Sequence, residues 1–256
     1  MLEHVTATRY AVPLKEGGSL PGLVEADDLG MYVVKMRGAG QGLKVLVAEV
    51  IVGELARRLG IAVPRLVEIE LPKDIARYEA DEEVQDLLTA SVGANLGVDY
   101  LPGAFGYDGS RPAPFEVADD IVWLDAFTAN VDRTWSNPNL LLWHDQVWAI
   151  DHGAALWFHH AWPSKEPNAR RFAEQPFNAD DHVLADRVQD IKSAHQMALA
   201  TLKPDVIEEI VAMVPEEWLE LTPFLDTPDA VRRAYRDHLT ARLARPEAWL
   251  PKGGGR

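Results

Sequence analysis

An apolar stripe at helical spacing, Val117, Ile121, Leu124, Phe127 and Thr128, runs through residues 117–130 and stops just before Asp132. Two short apolar runs follow, 140–143 and 146–150, separated only by His144 and Asp145, and the second closes on Asp151. That spacing predicts a β-hairpin. Few folds satisfy the order: a helix must deliver a loop carrying Asp132, Arg133 and Asn137, and a hairpin must return a second acid at a strand end. Three polar side chains are thereby placed on irregular backbone between regular elements, where functional groups concentrate.

The chain before this block reads differently. Residues 5–12, 20–26 and 30–36 are candidate strands of a small sheet, rich in β-formers. Lys15, Glu16, Gly17, Gly18 and Ser19 form a turn-rich link whose glycines permit a close approach of backbone to a ligand. The spacing changes at Leu43: Leu43, Leu46, Val47, Val50, Ile51, Leu55 and Leu59 make one helical stripe, which Gly60 ends. Pro64 then opens a further strand over 65–71. Charge-rich residues 72–86 read as an exposed helical excursion, and the glycines and proline of 95–106 as a connector between lobes. Helices are expected over 180–202, 204–213 and 228–244, with the final KGGGR a frayed tail or cloning remnant.

With 256 residues the chain is long enough for one large domain or two lobes, and its 47% hydrophobic and 25% charged content is that of a globular protein. A formal net charge of −15 argues against nucleic acid as partner, because phosphate-backbone affinity is built from clustered Lys and Arg. The absence of cysteine excludes disulfides, thiolate metal sites and cysteine nucleophiles. No apolar stretch approaches the ~20 residues that span a bilayer and the start lacks a secretory signal, so no membrane partner is expected and the cytoplasm is the default.

The types of Asp132, Asn137 and Asp151 suit one chemistry. Transfer of a γ-phosphoryl group needs a carboxylate near the acceptor hydroxyl and oxygen ligands for Mg2+. Asp132 fits the first role; Asn137, five positions later, and Asp151 fit the second. Asp, Arg and Asn also populate turns and caps, and the second acid at a strand end favours the phosphotransfer reading over that one.

The blocks NVDRTWSNPNLLLW and WAIDHGAALWF, with YVVKMRG and AEVIVGELARRLGIAVP upstream, resemble the HipA-like kinases, relatives of protein and phosphoinositide kinases. Together they span most of residues 15–160. The resemblance implies an α+β, bilobal protein-kinase-like fold, with a β-rich small lobe over 1–100 and a mostly helical large lobe over 101–256. It implies Mg-ATP as cosubstrate and an unidentified hydroxyl-bearing acceptor, in the first instance a serine or threonine of a protein. Asp132 would be the catalytic acid, Asn137 and Asp151 the Mg2+ ligands, Lys35 the ligand of the α and β phosphates, and Gly17, Gly18 and Ser19 the loop over them. Alignment with the family favours Glu49 as partner of Lys35, whereas a helical wheel places Glu54 nearer the apolar stripe; Glu49 is preferred. The family's His after Asp-Arg is Thr134 here. HipA toxins are longer, so their antitoxin and DNA complexes are not carried over.

Other readings stand beside this one. A catalytically silent nucleotide-binding module acting through a partner, a kinase of a small metabolite or lipid head group, and transfer of AMP instead of phosphate all use the same residues. His152, His159 and His160 beside Asp151 invite a metal hydrolase, but no HExxH-type pair is present. Trp157, Phe158, His159, His160 and Trp162 would line the acceptor side or pack under a loop. Arg133 would brace the loop or form a structural ion pair.

Overall fold

The computed structural model describes residues 1–13, 22–40, 42–77 and 79–251. The chain divides into two compact units, Met1–Leu46 with Pro64–Pro102, and Val47–Val63 with Gly103–Arg256.

The first unit is a closed five-stranded barrel of β1 (Glu3–Pro13), β2 (Gly22–Ala26), β3 (Met31–Lys35), β5 (Gly93–Asp99) and β4 (Leu66–Leu71), in that order around the barrel. All neighbours are antiparallel except β1 and β4, which close it in parallel with Glu3 opposite Val67 and Thr6 opposite Glu70. Alternation places Val5 and Ala7, Val24 and Ala26, Tyr32 and Val34, Val67, Ile69 and Leu71 in one core. Closure leaves no open edge for another chain to pair with.

Two expectations are corrected here. Residues 95–99 are not a connector: they belong to β5, which pairs with β3 on one side and β4 on the other. The glycine that reads as a breaker is there for packing, since a Cβ at Gly97 would lie 2.6 Å from Val67 Cγ2 and 3.4 Å from both Ile69 Cγ2 and Tyr32 Cδ1. Gly97→Ala should therefore destabilise the protein by about 1–3 kcal/mol, read as a lower denaturant midpoint. Within the segment 72–86, residues 73–77 form turns and the helix starts only at residue 82: α2 spans Glu82–Ala90, capped by Asp81, whose carboxylate accepts from the N–H groups of Glu83 (3.0 Å) and Val84 (3.3 Å). Its apolar residues Val84 and Leu88 join the barrel core.

Helix α1 (Leu43–Arg58) matches the spacing, and its residues from Val47 onward belong to the second unit. That unit continues with β6 (Phe105–Gly106), α3 (Phe115–Thr128) and the hairpin β7 (Leu140–Trp143) and β8 (Gln146–Ala149), forming a three-stranded sheet in the order β6-β7-β8. His144 and Asp145 turn the hairpin at φ 48° and 61°, the positive pair that matches strand twist in a two-residue loop. The remainder is helical: α4 (Ala169–Ala173), α5 (Ile191–Thr201), α6 (Pro204–Val211), α7 (Pro228–Leu243) and α8 (Pro246–Trp249). The helix expected from residue 180 begins only at Ile191, because Asp119 of α3 takes the N–H groups of Gln189 (2.8 Å) and Asp190 (2.9 Å) and holds the preceding segment off a helical path. The KGGGR tail lies outside the described residues. Among the described residues no helix is long and apolar enough to cross a membrane.

Candidate active site

Helix α3 is buried almost all round its second half, from Ile121 to Thr128, which makes it a core helix rather than an amphipathic one. It ends through Ala129 in the left-handed region (φ 56°). Three of its last four carbonyls have partners beyond the helix: Asp125 O accepts from Asn130 N (2.8 Å), Ala126 O from Arg242 Nη2 (2.7 Å) and Thr128 O from Leu156 N (2.9 Å). The loop that follows therefore starts from a fixed point.

Within the loop, Asn137 Nδ2 donates to Asp132 Oδ2 at 2.9 Å, and Asn139 Nδ2 donates to the Asp132 carbonyl at 3.3 Å. Asn130 Oδ1 accepts from Asp132 N at 3.2 Å. Both Asp132 and Asn137 are exposed at the surface. Between them Thr134 and Asn137 exchange backbone hydrogen bonds at 3.1 Å, leaving Trp135 and Ser136 at the tip of a tight turn.

Arg133 faces the other way and is 1% exposed. Each of its five N–H donors has an acceptor. Nε donates to Asp125 Oδ2 (2.6 Å), Nη2 to Asp125 Oδ1 (3.4 Å) and His152 Nδ1 (3.3 Å), and Nη1 to the carbonyls of Asn139 and, at 3.1 Å, Ile150. Ile150 N in turn donates to Asn139 O at 3.0 Å. One guanidinium thus joins the residue next to Asp132 to the residue before Asp151. Asp151 is exposed and takes φ 54°, an uncommon conformation for a non-glycine residue that turns the chain sharply off β8.

Asp125, fully buried, completes the base. Its carboxylate also accepts from Asn130 Nδ2 (3.0 Å) and His182 Nε2 (2.9 Å). Because His182 Nδ1 accepts from Leu184 N at 3.0 Å, its ring proton sits on Nε2 and points at Asp125. Burial by itself raises the Asp125 carboxyl, but the charge of Arg133 and the hydrogen bond from His182 outweigh it and hold the group well below the usual carboxylate range.

The structure thus brings Asp132 and Asn137 into direct contact and ties the approach to Asp151 to the same loop. Lys35 ends β3 in the first unit, half-buried and on the barrel face opposite Tyr32 and Val34. Glu49 is 2% and Glu54 7% exposed on α1, and Glu54 pairs with Arg57 at 3.2 Å. Gly17, Gly18 and Ser19 lie outside the described residues. Of the aromatic run, Phe158, His159 and Trp162 are core, packed with Phe172, Tyr235 and His238; His159 Nδ1 meets the Tyr235 hydroxyl at 2.9 Å. Among the described residues no three His, Asp or Glu side chains gather as a metal-ligand set.

Asp125, Asn130, Asn139 and His182 are the functional supports that sequence reasoning missed. A signal existed for one: Asp125 interrupts the run Val122, Trp123, Leu124, Ala126, Phe127, where an acid is retained only with a partner. His182 lies 57 residues from Asp125 and nothing local marks it.

No curated protein matches the chain. Among solved structures, the Helicobacter pylori proinflammatory kinase CtkA matches with a TM-score of 0.56 at 11% identity, over 91% of this chain and 90% of that one. The Golgi casein kinase, in a structure with Mn/ADP bound, matches at 0.47 and 13% identity, over 94% of this chain and 72% of that one. The sequence profile of the HipA-like kinases matches residues 10–250. The chain is a kinase-type phosphotransferase, and it belongs to the HipA-like kinase family.

Proposed function

We propose that the chain is a Mg-ATP-dependent kinase with a small and a large lobe, transferring the γ-phosphoryl group to the hydroxyl of a protein serine or threonine. The observation that carries this reading is the 2.9 Å contact between Asp132 and Asn137 on a loop whose Arg133 also holds the carbonyl before Asp151. Asp132 orients the acceptor hydroxyl and receives its proton. Because the Asn137 amide nitrogen is engaged by Asp132, the amide oxygen is left free to act as a ligand, and with the Asp151 carboxylate it would supply the hard oxygen donors that Mg2+ prefers. When bound, the ion neutralises charge on the phosphates. Lys35 binds the α and β phosphates with Glu49 as its charge partner, and Gly17, Gly18 and Ser19 cover them, the roles that family membership supports.

Purified protein with Mg2+ and γ-labelled ATP should release ADP and label itself or an added protein. Mass spectrometry of the product should show addition of phosphate and not of AMP. Lys35→Met should lower kcat/KM for ATP by about 10-fold or more, the loss of a charge-assisted phosphate contact of roughly 1.5–3 kcal/mol. Absence of ADP release from the wild-type chain, with Mg-ATP still raising its melting temperature, would identify a nucleotide-binding module without catalysis.

A further inference from the structure

Trp135 stands at the tip of the turn closed by Thr134 and Asn137, three residues from Asp132, and is 56% exposed. Exposure of so large an apolar ring usually means mobility, yet this one is seated. Its indole stacks on Tyr107 with centroids 6.2 Å apart and planes 28° from parallel. It also rests on Gly109, where φ is +78° and a Cβ would lie 2.9 Å from Trp135 Cη2, so only glycine suits the position. Tyr107 is itself 4% exposed and anchored: its N–H donates to Leu140 O of β7 at 2.9 Å and its hydroxyl accepts from Ala113 N at 3.3 Å. One side of the indole is therefore backed by Tyr107 and Gly109, while Trp135 stays exposed three positions along the loop from Asp132.

Acids predominate on the segments that adjoin it, and the cation beside Gly109 in the chain, Arg111, is engaged by Asp145 (2.5 Å) and lies over the Phe105 ring. Asp108 precedes Gly109, is exposed, and is held below its ordinary value by hydrogen bonds from the Ser110 side chain and backbone. Asp180 and Asp181, also exposed, immediately precede His182, whose backbone bridges Thr134. An exposed indole face on a turn whose adjoining segments carry exposed carboxylates attracts a cation, above all a guanidinium, which can stack on the ring while the acids supply opposite charge.

We propose that Trp135 determines acceptor specificity by seating an arginine or lysine side chain of a polypeptide whose serine or threonine hydroxyl lies at Asp132. This rests on the kinase reading above and names its substrate class. In the step so positioned, the seryl oxygen forms a bond to Pγ as the bond from Pγ to the β-phosphate bridging oxygen breaks. ADP leaves with that electron pair, and the hydroxyl proton passes to Asp132.

The test compares serine-centred peptides whose flanking positions carry Arg, Ala or Glu, with Mg-ATP and the full chain. Wild type should use the Arg series over the Ala series by about tenfold in kcat/KM, mostly through KM, as a cation–π contact of roughly 1–2 kcal/mol gives. Trp135→Ala should collapse that ratio to within about twofold, and Trp135→Phe should keep most of it, since a phenyl face still binds a cation. The ratio is taken within one variant, so loss of folded protein does not alter it. An unchanged ratio in Trp135→Ala, or a wild type indifferent to Arg, overturns the proposal. ADP release without transfer to any peptide overturns the polypeptide acceptor while leaving the kinase reading standing. No ADP release under any condition removes the kinase reading, and this proposal with it.

Discussion

Asp125→Ala is expected to destabilise the second unit by about 3–5 kcal/mol, the usual result of removing one partner of a buried ion pair and leaving the other charge behind. The charge left behind is Arg133, whose Nε and Nη2 lose their carboxylate while Nη1 still holds Asn139 and Ile150. His182 Nε2 and Asn130 Nδ2 lose an acceptor as well. Denaturation followed by tryptophan fluorescence would read the loss as a lower midpoint. A pH series adds a second signature. The folded-state value of Asp125 is depressed, so its ionisation contributes stability that is full above the unfolded value of about 4 and is withdrawn as pH falls toward the lower folded value. Asp125→Asn lacks that ionisation, and its stability should fall less steeply than wild type below about pH 4. Equal slopes would mean that Asp125 is not the acid-sensitive group.

The second large effect concerns activity. On the proposed function, Asp132→Ala should lower kcat by about 10²–10⁴-fold, the range for a positioned general base. Stability should change far less than for Asp125→Ala, because Asp132 is exposed and its carboxylate makes one resolved side-chain contact, with Asn137. Neighbouring acids thus separate cleanly: one variant unfolds and the other stays folded and stops transferring phosphate. If Asp132→Ala retained wild-type turnover, the assignment of the catalytic acid would be lost.

What could be read in advance followed the range of the interactions involved. The α1 and α3 stripes, the hairpin through His144 and Asp145, and the loop spacing from Asp132 to Asn137 are local, and each left its period or its interval in the sequence. β5 was hidden because its identity depends on partners far away: Gly97 looks like a breaker until Val67 is placed against it. The start of α5 was misplaced for the same reason, since the segment before it is held by Asp119 across 70 residues. At the site, Asp132, Asn137 and Asp151 were read as candidates from their types and intervals. The residues that hold them, Asp125, His182 and Asn139, were not, because a buried polar network advertises only its most exposed members.

The guanidinium of Arg242 has an implication for timing. It is bound to the carbonyl of Ala126, 116 residues earlier in the chain, with the carbonyls of Phe172 and Gln175 as further acceptors. On a ribosome moving at about 5–20 residues per second, that interval takes roughly 6–23 seconds. For most of it the nascent chain already contains Asp132, yet the cation that secures the end of α3 has not been translated. The end of α3, from which the loop of Asp132 departs, is thus fastened by a residue of α7 made long after it.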